Sequence, residues 1–246
     1  MCRHAFWIRS ACRERSHQRS HRGHTLYFSF RFQMSTSAKS LPDEHTLAAA
    51  TELEVVDLNG KRVRFGDLFN DRKSIVVFIR HFFCGTCQGQ AHFIHPYQNY
   101  AKHLAAVSTE TLEAAGVQIV LIGCGEYTLI KNYAEETGFR GEIYANPTRS
   151  VYHALGMNLE TLRMTPSTDE KRSYIPDSRL LNTVSATVRA LKHPTLVGKQ
   201  GNMSQVGGEF IFGPGNTCSF ASRMQHTEDR KVLQVLPLLK TESLLT

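Results

Sequence analysis

Ser74-Ile75-Val76-Val77-Phe78-Ile79 leads through Arg80-His81-Phe82-Phe83 into Cys84-Gly85-Thr86-Cys87. The unbroken β-branched and aromatic content of the first run is that of a strand buried on both faces. The two thiols then fall where that strand should give way to a helix. A thiol at a helix N-terminus faces unpaired backbone N–H groups and the positive end of the helix dipole, so its thiolate is favoured. A second thiol three residues on can close a disulfide with it. The same Cys-x-x-Cys spacing is also half of many zinc sites, and the surrounding chain has to decide between the two chemistries.

Upstream, residues 51–60 and 61–65 read as two strand-like runs joined at Asn59-Gly60, a β-hairpin, and residues 65–69 as a short helical turn. Downstream, residues 88–115 read as a helix that Pro96 should kink or divide, because proline lacks the backbone donor and crowds the preceding turn. Residues 117–122 form a second apolar strand, residues 129–137 a helix closed by Gly138, and residues 142–145 a shorter strand. Asn146-Pro147 then opens a helix through Leu155, with proline in the early position that needs no N–H. Residues 207–212 and 217–220 read as a second hairpin and residues 232–239 as a last helix. Strand and helix alternating in this way predict an α/β fold, a central mixed β-sheet flanked by helices. Reactive groups in such sheets gather beyond the carboxyl ends of the strands. An insertion at 158–204 precedes the final hairpin; its Leu181, Val184, Val188 and Leu191 fall at helical spacing, which is the mark of core packing.

At 246 residues, 41% hydrophobic and 21% charged, the chain can bury a sizeable core, and one domain of about 200 residues with extensions is expected. We expect a basic, disordered extension over residues 1–44 and a single domain over 45–246. The net charge of +7 is concentrated: residues 1–33 hold seven Arg, no Lys and only Glu14, which leaves +1 for the rest. A nucleic-acid-binding face is therefore not expected. The six cysteines, at 2, 12, 84, 87, 124 and 218, form no paired framework, and no run approaches the roughly 20 apolar residues of a membrane span. A cytoplasmic location follows. The alternative is mitochondrial, because an Arg-rich, Ser-containing and nearly acid-free leader fits a presequence; equally, Met34 is a second candidate for the true start.

The order of elements, His81-Phe82-Phe83-Cys84-Gly85-Thr86-Cys87, Val120-Leu121-Ile122-Gly123-Cys124-Gly125, Tyr144-Ala145-Asn146-Pro147-Thr148 with Leu155-Gly156-Met157, and Gly207-Gly208-Glu209-Phe210-Ile211-Phe212-Gly213-Pro214-Gly215 together resemble the thioredoxin fold, and more narrowly the peroxiredoxin-like proteins of the AhpC/TSA class. The resemblance runs from about residue 52 to residue 240. It implies that Cys84 is the nucleophile and Cys87 the resolving cysteine of a thiol oxidoreductase acting on hydroperoxides or protein disulfides. A thiol reductant such as thioredoxin or glutathione would complete the cycle, with no cofactor. Two departures stand out. His81 sits three residues before Cys84, where the family carries Thr, and Gln205-Val206-Gly207-Gly208 leads into the strand where thioredoxin has a cis-proline. A second reading follows from them: a thioredoxin-fold binding module whose dithiol is regulatory.

Arg80 and His81 are the candidate thiolate stabilisers, since a cation beside Cys84 lowers its pKa. The alternatives are an exposed charge at a strand end for Arg80 and a packed histidine for His81. Cys124 and Cys218 read as small buried hydrophobes. Zinc is weighed against the dithiol because Cys84, Cys87, His92 and His95 fall within twelve residues. Closing a tetrahedron on His92, however, would require the expected helix to unwind, so no metal is expected.

Overall fold

The computed structural model describes residues 37–82, 100–163, 198–227 and 229–230. Every described residue belongs to one compact unit, Thr36–Thr246. The expected Asn-Gly hairpin is β1 (Glu54–Val56) with β2 (Arg62–Arg64), paired antiparallel. Asp57 shapes its turn by accepting from the Asn59 and Lys61 N–H groups at 2.8 and 2.9 Å. The apolar run before the dithiol is β3 (Lys73–Phe78), parallel to β4 (Val117–Gly123) and antiparallel to β6 (Gly208–Phe212). β5 (Glu142–Ala145) adds parallel to β4, and β7 (Cys218–Arg223) closes the far edge against β6. The seven strands lie in the order β2-β1-β5-β4-β3-β6-β7, the mixed sheet that the alternation predicted.

Alternation along the central strands divides their side chains between two apolar layers. Ile75, Val77, Ile119, Leu121 and Ile211 meet Tyr100 and Leu104 of α2 (Tyr100–Ala105) and Ile130 and Tyr133 of α4 (Ile130–Thr137). On the other face Val76, Phe78, Val120, Ile122, Phe210 and Phe212 meet α1 (Glu44–Thr51), the turn Phe65–Leu68 and α5 (Ser150–Ala154). β3 is thus buried on both sides. Aromatic rings fill the second layer, with Phe65 edge-on to Phe212 at 5.5 Å and Phe212 stacked on Phe69 at 4.7 Å.

Three elements differ from the sequence reading. The chain before β4 is not one helix up to residue 115: α2 stops at Ala105, and α3 (Thr109–Ala114) starts afresh. The break is a capping event, since Ser108 is extended and its hydroxyl accepts the Thr111 N–H at 3.1 Å. Pro96, where the break was expected, lies outside the described residues. α5 begins at Ser150 instead of Asn146. Residues 146–149 form a turn in which Arg149 takes φ 58°, its N–H reaches the Asn146 carbonyl, and the Asn146 side chain accepts from Val151 N–H at 3.1 Å. Pro147 therefore serves a turn and not a first helical turn. α1 was not anticipated, although its signal was present: Asp43 follows Pro42 and accepts the Thr46 N–H at 2.7 Å.

The described segment before α1 also belongs to this compact unit. Arg223, only 4% exposed, donates to the carbonyls of Leu155, Ser37 and Ser40 at 2.6, 3.2 and 2.7 Å, and its own N–H bonds Ala38 at 2.7 Å. The expected last helix at 232–239 and the stripe from Leu181 to Leu191 lie outside the described residues.

Candidate active site

β3 and β4 run parallel, so their carboxyl ends open on the same side of the sheet, where the fold places reactive groups. The chain leaving β3 is pinned at Ile79, Arg80 and Phe82. The Ile79 N–H bonds the Ile122 carbonyl at 2.8 Å, extending the ladder past Phe78. Tyr152 of α5 brings its hydroxyl within 2.7 Å of the Ile79 carbonyl and 2.8 Å of the Ile122 carbonyl, tying the two strand ends together. The Phe82 N–H meets the Gln200 carbonyl at 3.3 Å, and its ring packs edge-on to Tyr133 at 5.5 Å.

The glycines of Gly123-Cys124-Gly125 follow from that ring. A Cβ on Gly123 would stand 2.5 Å from Phe82 Cζ, and one on Gly125 would stand 2.7 Å from Phe82 Cδ2, so only hydrogen fits at either place. The β4 turn is therefore shaped by the residue two before Cys84.

Arg80 is 7% exposed and His81 5%, which removes the exposed-charge alternative for Arg80. The Arg80 guanidinium donates to the Met203 carbonyl at 2.8 Å. Its backbone carbonyl accepts from the Cys124 thiol at 2.8 Å. Cys124 is buried, and burial pushes its thiol up to about 11 against the smaller opposing pull of the Asn202 backbone and of Arg149 and Arg80. It is a protonated, packed thiol at neutral pH. Burial likewise raises half-buried Cys218 to about 11. Both are free thiols and fill space as the sequence reading expected.

A loop that the sequence did not single out closes over these strand ends. Residues 199–203 supply four carbonyls: Lys199 to Glu126 N–H, Gln200 to Phe82 N–H, Asn202 to the Cys124 thiol and Met203 to Arg80. Glu160 anchors this loop. Its carboxylate accepts from Asn202 Nδ2 at 2.9 Å and Ser204 Oγ at 3.2 Å, and it pairs with Arg149. The hydrogen bonds from Arg149 and then Asn202 hold that carboxyl below its ordinary 4.5. Arg149 also reaches Gln205, whose side chain is fully buried and donates to the Met157 and Val206 carbonyls. The loop meets Glu126, Phe82, Cys124 and Arg80 through its backbone carbonyls, so its residue types carry no signature of those contacts. Cys84, Cys87, His92 and His95 lie outside the described residues, and with them both the dithiol and the zinc arrangement.

The sequence pattern of the AhpC/TSA antioxidant enzyme family matches residues 103–226. The human peroxiredoxin-like 2C is 34% identical over 206 residues, covering 81% of this chain and 84% of that protein. The chain belongs to the AhpC/TSA family. The mouse peroxiredoxin-like 2C is also 34% identical, over 77% of this chain and 79% of that one. The crystal structure of the peroxidoxin BcpB from Mycobacterium tuberculosis aligns with a TM-score of 0.49 at 13% identity, over 77% of this chain and 92% of that one. AhpC/TSA membership makes this a peroxiredoxin-like protein of thioredoxin-type α/β fold with a redox-type function. The matched span contains Cys124 and Cys218 and begins after Cys87.

Proposed function

We propose that the protein is a two-cysteine thiol oxidoreductase that reduces a hydroperoxide or a disulfide, with Cys84 as nucleophile and Cys87 as resolving thiol. The observation that carries this reading is the rigid delivery of the chain to Cys84: residues 79–82 are buried and bonded at the shared carboxyl ends of two parallel strands. With a hydroperoxide, the Cys84 thiolate attacks the terminal oxygen, the S–O bond forms as the O–O bond breaks, and the alkoxide leaves with a proton as the alcohol. Cys87 then attacks the Cys84 sulfenic sulfur, forming the disulfide and releasing water. With a disulfide, Cys84 attacks one sulfur, the other leaves as a thiol, and Cys87 resolves the mixed disulfide. In either case an external dithiol, or two molecules of a monothiol, supplies the two electrons that restore the enzyme.

The test is the loss of the Cys84 thiol on adding hydrogen peroxide or, separately, a small disulfide, in wild-type and Cys87→Ser protein across pH. Cys84 should react well above the rate of a free thiol, and sulfenic acid or mixed disulfide should accumulate only in Cys87→Ser. Inertness to both reagents would overturn the enzymatic reading in favour of a redox-regulated binding module.

A further inference from the structure

The amino ends of β3, β4 and β5, opposite the carboxyl ends described above, border an open cleft of about 530 Å³. Sites for small organic molecules run from roughly 300 to 1,000 Å³. α3 forms one wall, and residues 138–142, which join α4 to β5, form the other. No residue of α3 is buried, although Leu112 packs against the core. Leu104, Val107, Leu112, Ile119 and Phe139 give the cleft an apolar floor. A glycine makes that floor possible. A Cβ on Gly141 would stand 2.6 Å from Phe139 Cζ and 2.9 Å from the Ile119 carbonyl oxygen, so only hydrogen at residue 141 lets the ring pack against β4.

The rim is charged in a specific way. Arg72 directly precedes β3 and Arg140 lies two residues before β5, so the two flank the start of β4 from its opposite sides. Two strand spacings, about 10 Å, separate their backbones, and side chains of that length can meet at one anionic group between them. Both arginines are exposed and line the cleft, and neither guanidinium makes a hydrogen bond or ion pair among the described residues. Three carboxylates share the rim, and two of them are already engaged. The Ser108 hydroxyl donates to Glu110 at 2.8 Å, and the Tyr144 hydroxyl donates to Glu142 at 2.9 Å. Glu113, on the α3 wall, is the third. Their charge disfavours a polyanion such as a nucleotide, whereas the two uncommitted guanidiniums, planar forks shaped for a carboxylate or sulfonate, favour a single negative group.

We propose that this cleft binds an organic monoanion with an apolar ring body, its carboxylate or sulfonate held between Arg72 and Arg140 and its body on Leu112, Ile119 and Phe139. The site lies at the opposite end of the sheet from the strand that leads to Cys84, and it stands or falls independently of the redox reading.

The probe is anilinonaphthalene sulfonate, titrated into the full chain at low ionic strength by fluorescence and by calorimetry, with thermal unfolding recorded for every variant. The expected result is one saturable site whose affinity falls about fivefold in Arg72→Gln and in Arg140→Gln, rises in Glu113→Gln and falls with added salt. All three side chains are exposed and the two arginines carry no described contact, so the unfolding midpoint should stay at the wild-type value. Phenylnaphthylamine, the same ring body without the sulfonate, should bind wild type and the double arginine variant alike. Equal sulfonate affinity in wild type and the double variant, absence of saturable binding, or an equal loss of the charged and uncharged probes would each overturn the proposal.

Discussion

Cys124 shows how one residue's place decides its chemistry. It shares the Gly-Cys-Gly turn with the site, and its thiol touches the Arg80 carbonyl four residues from Cys84, yet burial keeps it protonated. In the folded protein it should resist alkylation until the pH approaches about 11, whereas after denaturation it should react as an ordinary thiol titrating near 9.0. The sign for stability follows. Between those two values the unfolded chain loses a proton that the folded chain keeps, so this thiol's contribution is intact below about 9 and declines as the pH rises toward 11. Alkylation of Cys124 at pH 8 in native protein, at the rate seen in denaturant, would show the residue to be exposed and refute this placement.

At the scale of elements, the 199–205 loop holds the site from outside while β3 and β4 hold it from below. Its anchor is electrostatic, for Glu160 must be ionised to accept from Arg149, Asn202 and Ser204 together. The folded carboxyl titrates below its ordinary 4.5, so the anchor is complete above that value and is lost as the pH falls through the lower, folded one. Hydrogen exchange at the Ser204 and Gln205 amides, which bond Asn202, should therefore accelerate in acid before the β3 and β4 amides do. Glu160→Gln should reproduce the same local loosening at neutral pH. Protection at these two amides that persists in the variant would assign the loop's rigidity to its backbone bonds alone.

For the whole molecule, Arg223 is the tie between the two ends of the described domain. It comes from the last strand, passes over the Phe210 ring at 5.3 Å, and satisfies carbonyls of residues 37, 40 and 155. Arg223→Met keeps most of the apolar volume and leaves those carbonyls without their donor. The expected loss is about 3 kcal/mol, from unsatisfied buried polar groups, read as a shifted denaturation midpoint. Limited proteolysis should then cut within residues 37–43 before it cuts the sheet. Equal stability with an uncut N-terminal segment would show that the contacts to Ser37, Ala38 and Ser40 are incidental.

Much of the fold was legible in the sequence because its strands are locally specified. β3 and β4 are continuous apolar runs, the first hairpin is written in Asn59-Gly60, and Gly138 at φ 69° closes α4 where the pattern ended. The position of Cys84-Gly85-Thr86-Cys87 after such a strand was likewise a local fact of the sequence. The breaks at Ser108 and Arg149 escaped notice because a helix-like composition does not reveal where a side chain will outcompete the backbone for an N–H. What only the tertiary structure decided were the contacts between distant segments. Tyr152 bonds two strand ends, backbone carbonyls of residues 199–203 meet Phe82, Arg80 and Cys124, and Arg230 reaches Phe78 beside Glu209. Their partners are main-chain atoms, which every residue carries alike, so no sequence pattern announces them until the chain is folded.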